Sequence, residues 1–135
     1  MSIVNTLSHP WPAKFAAPEC YDVVLRAESN GTAAPDGNDP TSGITWDQTA
    51  TGTYTITFAS NRRPRRVLWA MGYVEENLAR ESDVRFISYV ASTGVATFIS
   101  YTDDVSTGVP AAADVTTDKT IVVRMTLTDS SLNDA

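Results

Sequence analysis

The sequence carries a single histidine, His9, and a single cysteine, Cys20. One cysteine cannot close a disulfide within the chain, and one His with one Cys supplies only two of the four ligands of a tetrahedral zinc site. His9 stands just before Pro10, ahead of the first strand-like run, with nothing in place to hold its imidazole as a Ser-His-Asp or Cys-His site requires. No catalytic residue, cofactor or metal ligand is therefore assigned. No apolar run approaches the roughly 20 residues of a membrane-spanning helix, and the start lacks the basic and apolar regions of a secretory signal. Synthesis in a cytoplasm is expected, with no membrane partner. Positive charge is scarce as well: 10 Lys and Arg stand against 16 Asp and Glu, a formal net charge of −6. That balance argues against dedicated nucleic-acid binding, which uses a basic face for phosphate.

What is present is a chain of 135 residues with 42% hydrophobic and 19% charged residues, the composition of one globular domain. Residues 1–19 hold Pro10, Pro12 and Pro18 around Trp11 and Phe15 and show little periodicity. Proline blocks helix and central strand, so an extended N-terminal arm is expected. Ordering such an arm costs about 1–2 kcal/mol of backbone entropy per residue. Its two aromatics are expected to offset that cost by entering pockets, on a neighbouring subunit rather than on the arm's own body.

Residues 20–135 read as one β domain. Tyr21, Val23, Leu25 and Ala27 alternate with Asp22, Arg26 and Glu28, and Cys20 at the head of this run is expected to be a small buried hydrophobe. Gly52–Ala59 places Tyr54, Ile56 and Phe58 on one face and Thr53, Thr55 and Thr57 on the other. Val67, Trp69, Met71 and Tyr73 repeat the pattern and are assigned to the core. Val84–Val90 and Val95–Tyr101 flank the turn Ser92-Thr93-Gly94 as a hairpin, and Lys119–Thr128 aligns Ile121, Val123, Met125 and Leu127. Residues 29–43 and 103–118 read as loops, and Glu75–Arg80 as the sole helix-compatible stretch. Six or seven short strands predict an all-β fold, an antiparallel sandwich or barrel.

Three clusters invite chemistry. Glu75-Glu76 and Asp103-Asp104 are adjacent in sequence and point to opposite sides of an extended chain, whereas glycoside hydrolysis needs two carboxylates facing each other. Asp36-Gly37-Asn38-Asp39 resembles the opening of a calcium loop, but the twelfth position holds Asp47 instead of the closing glutamate, and any tight turn selects these residues. Arg62-Arg63-Pro64-Arg65-Arg66 is the densest positive cluster. No aromatics interleave it, so docking on an acidic protein surface fits better than nucleic acid, and a plain solvated turn stays open beside that reading. Trp46, expected to be half-buried, and a core Trp69 leave too few exposed rings for a strong sugar platform.

The run Thr51-Gly52-Thr53-Tyr54-Thr55-Ile56-Thr57-Phe58, the hairpin strand Gly94-Val95-Ala96-Thr97-Phe98, and the ending Ile121-Val122-Val123-Arg124 into Asp129-Ser130-Ser131-Leu132 together resemble small virion structural proteins of tailed bacteriophages. The resemblance covers about residues 51–132 and is one of pattern. It implies a capsid decoration or cement protein of β-sandwich or barrel fold, located on the virion and bridging shell subunits. Its partners would be the major capsid protein or another virion protein, with copies joined as a homo-oligomer, a trimer foremost. Trp11, Phe15, Arg62, Arg63, Arg65 and Arg66 are the expected partner-binding residues. A tail, fibre or adaptor component is the alternative within virions, and a carbohydrate-binding module is the alternative of another class.

Overall fold

Threonine alternating with aromatic and branched side chains favours pleated, half-buried backbone, and strands are what form. The computed structural model describes residues 20–37, 43–75, 83–103 and 110–129. His9, Trp11 and Phe15 of the arm, Asp39 of the calcium-like turn, Glu76 and the rest of the helix-compatible stretch, and Asp104 lie outside the described residues.

Among the described residues nine strands follow in order: β1 (Cys20–Asn30), β2 (Ala33–Asp36), β3 (Ile44–Ala50), β4 (Thr53–Phe58), β5 (Arg66–Val74), β6 (Asp83–Val90), β7 (Val95–Asp103), β8 (Pro110–Ala112) and β9 (Thr120–Thr128). All pairings between these strands are antiparallel. The sheet runs β2-β1-β9-β5-β6-β7-β4-β3, with β8 paired to β7. Its two ends, β2 and β3, lie against each other, which nearly closes the sheet into a barrel. The short strands β2 and β8 fall inside stretches that read as loops. Ala33-Ala34-Pro35-Asp36 and Pro110-Ala111-Ala112 carry no alternation, and pairing alone makes them strands.

The core fills the inside of this curved sheet. Trp46, Tyr54, Ile56, Phe58, Ala96, Phe98, Ile121, Val123, Met125 and Leu127 are all buried there. Trp46, expected at the margin, is 2% exposed, because β4 pairs β3 register for register and carries Trp46 inward beside Ile56. Val115 seals the barrel from the loop before β9: the Tyr54 hydroxyl accepts its N–H at 2.8 Å, and the Ser29 hydroxyl donates to its carbonyl at 2.7 Å.

Trp69 corrects the sequence reading. It is 53% exposed, and Met71 and Tyr73 share its outer face. The pairing of β9 with β5 explains why. Val67 stands opposite Leu127 and Trp69 opposite Thr126, so Leu68 is an extra residue, a β-bulge that reverses the alternation. Val67 keeps its place against the core, while beyond the bulge the inward positions belong to Ala70, Gly72 and Val74. Their small size fits the space: a β-carbon on Gly72 would meet Val84 Cγ1 at 2.6 Å.

Candidate functional site

The outer face of β1, β9 and β5 presents three registered rows. Asp22, Thr126 and Trp69 form the first, Val24, Arg124 and Met71 the second, and Arg26, Val122 and Tyr73 the third. Trp69, Met71, Tyr73, Val24 and Leu68 are all large, apolar and exposed. Two polar pairs border these rows: the Thr126 hydroxyl donates to Asp22 Oδ1 at 2.6 Å, and Arg26 pairs with Glu75 at 2.7 Å, while Arg124 stands exposed in the middle row. Val122 also points outward yet is 1% exposed, flanked in its row by Arg26 and Tyr73. The result is a curved, mostly apolar stripe with Arg124 in its middle row and paired polar groups beside it. Burial of such a stripe drives protein association, and aromatic and methionine side chains are the types enriched in interface centres.

The arginine turn sits at the open end of the barrel. The Tyr89 hydroxyl donates to the Pro64 carbonyl at 2.6 Å and the Arg65 N–H to the Thr128 carbonyl at 2.8 Å, which fixes the turn across β6 and β9. Tyr89 packs edge-on against Phe58, with ring centroids 6.1 Å apart. Arg63 reaches the next turn and donates to the Ser92 carbonyl at 2.7 Å, lying where a β-carbon on Gly94 would be. Gly94 has φ of +70°, a conformation that favours glycine, so the close approach and the backbone demand the same residue. Arg62, Arg63 and Arg65 line an open cavity of about 870 Å³, and Arg66 begins β5 opposite Thr128. The four guanidinium-bearing residues thus divide between a cavity rim and a strand end.

Ionisation follows burial. Tyr54, Tyr21 and Tyr89 all have hydroxyls pushed above the ordinary tyrosine range, burial being the largest cause in each. For Tyr21 the charge of Asp129 adds to the rise, whereas for Tyr89 the nearby Arg63 opposes it. Cys20, expected to be buried, is half-buried at the head of β1.

Sequence reasoning grouped Val67, Trp69, Met71 and Tyr73 on one core face; the structure keeps Val67 against the core and turns the other three outward. The small residues Ala70 and Gly72, interleaved with them, are the signal that the inner side has little room. Comparison with known proteins adds no relative: no family model matches the chain, and no curated protein or solved structure matches it either.

Proposed function

We propose that this chain is a non-enzymatic structural protein of a tailed-phage virion, of the head decoration type, which docks its outer sheet face on shell protein. The observation that carries the reading is the set of exposed Val24, Leu68, Trp69, Met71 and Tyr73 on the paired strands β1 and β5, beside the Asp22–Thr126 and Arg26–Glu75 pairs. A rigid sheet with an apolar face adds contact area across subunit joints, and that mechanical task calls for no pocket, metal or general base. The virion setting rests on the resemblance of residues 51–132. Copies would assemble as trimers, and the arginine turn would make secondary, salt-sensitive contacts with acidic groups.

Imaging particles assembled with and without the chain tests the proposal. Density on the outer shell at subunit joints, lost when Trp69→Asp and Tyr73→Asp are introduced together, is the expected result. Density confined to tail or fibre would transfer the chain to those parts, and particles without it would end the virion reading.

One observation favours a second reading, a carbohydrate-binding module. Trp69 borders a shallow depression shared with Asp22, Arg124 and Thr126, an exposed indole beside hydrogen-bonding groups, which is how sugars are held. A glycan array separates the two: binding abolished by Trp69→Ala supports the sugar site.

A further inference from the structure

The three rows of the outer face form a grid in which β9 runs between β1 and β5, and Arg124 holds its centre. Val24 and Met71 flank it in its own row. The row of Asp22, Thr126 and Trp69 lies on one side, and the row of Arg26, Val122 and Tyr73 on the other. The bulge at Leu68 creates this neighbourhood. Without the extra residue Ala70 would stand opposite Arg124, and Trp69, Met71 and Tyr73 would face the core. Arg124 is exposed and makes no hydrogen bond or ion pair among the described residues. The other charges of the grid are engaged: Arg26 with Glu75 at 2.7 Å, and Asp22 Oδ1 with the Thr126 hydroxyl at 2.6 Å. A positive charge without a partner thus stands in the middle of an apolar surface.

In open water the Arg124 guanidinium is hydrated at no cost. Covering Val24, Trp69, Met71 and Tyr73 strips that water away, and an ion desolvated without a counter-charge opposes the contact that buries it. We infer that the surface docked on this face presents a carboxylate, an Asp or Glu side chain set among apolar groups, which seats on Arg124; this rests on the reading that the outer face docks on shell protein. The planar guanidinium offers a fork of N–H donors that meets both oxygens of a carboxylate. Apolar flanks exclude water from the pair and strengthen it. Trp, Tyr and Arg are also the types that concentrate binding energy at interface centres, and here Trp69, Tyr73 and Arg124 share one. A second copy joined face to face is the poorer occupant. In a two-fold contact each patch meets itself, so an axis through the centre of the grid sets guanidinium against guanidinium.

The test is sedimentation of the full chain with assembled shell particles that lack it. Arg124→Met, which keeps the length and loses the charge, should weaken binding at least about 30-fold, read mainly as faster release. Arg124→Glu should weaken it further. Both variants should melt within about 3 °C of the parent, because the side chain is exposed. Arg124→Lys places an amine at the same point, and a carbodiimide should condense it, with loss of water, to an Asp or Glu of the shell protein as an amide. The parent guanidinium should give no such link. Affinity of Arg124→Met within about twofold of the parent, while Trp69→Asp with Tyr73→Asp abolishes binding, would overturn the inference and leave the docking face standing. If the parent does not bind, or all these variants bind as the parent does, the docking reading falls and the inference with it. A cross-link to a second copy of this chain would overturn the inference, as would binding of an acidic glycan that Arg124→Met abolishes, since each gives the carboxylate a different source.

Discussion

Trp69 stands opposite Thr126 on the outer face, although Val67, two residues earlier, stands opposite the fully buried Leu127. The bulge at Leu68 makes the two tryptophans of the described body energetic opposites. Trp46→Ala should cost about 3–5 kcal/mol, as removal of a core indole does. Trp69→Ala should stay within about 0.5 kcal/mol, a surface value. Denaturant unfolding of both variants checks the pair, and equal losses would put Trp69 back in the core.

Gly72 supplies a second measurement. Its missing side chain leaves room for Val84, whose Cγ1 and Cβ lie 2.6 and 2.9 Å from where a β-carbon would be. Gly72→Ala should therefore destabilise by about 1–3 kcal/mol. Adding Val84→Ala should recover part of that loss, and a double-mutant cycle measures the coupling. Strict additivity of the two changes would contradict the packing described.

These two residues also mark how far the sequence could be read. Period-two alternation identified the strands containing Tyr54, Phe98 and Ile121, because the residues inserted at the shifts opposite them belong to the partner strands and their own hydrophobic parity survives. Alternation failed at β5, where one inserted residue reverses inside and outside, and nothing in Val67-Leu68-Trp69 announces a bulge. Strands β2 and β8 escaped notice because their pairing is tertiary and their side chains are small or polar. The arginine turn was placed correctly between strands, but its position on a cavity rim depends on β1 and β3, distant in sequence. Of the apolar stripe, Trp69, Met71 and Tyr73 were legible as neighbours on one face and illegible as a surface, and Val24 and Leu68 were not legible at all.

Tyr54 joins stability to pH. Its hydroxyl is raised above the ordinary value of about 10 mainly by burial, with the Asp114 charge adding and the Val115 N–H opposing. A group whose folded pKa is raised holds its full stabilising share below the unfolded value and loses it as pH climbs through the folded one. Melting temperature should therefore fall above about pH 10, and Tyr54→Phe should flatten part of that fall. The same variant should cost about 1–3 kcal/mol at neutral pH, because the buried Val115 N–H loses its acceptor. A pH profile unchanged by Tyr54→Phe would contradict the assignment.

The claim at the centre of this description is that the outer face of β1, β9 and β5 is covered in the working assembly. Trp69, Met71 and Tyr73 are side chains that react readily with hydroxyl radicals, and all three are exposed in the isolated chain. Footprinting by mass spectrometry should show their oxidation falling several-fold when the protein is bound in its assembly, while Tyr101 on β7 keeps its rate. Unchanged oxidation of Trp69, Met71 and Tyr73 in the bound protein would contradict the proposal that this face does the docking.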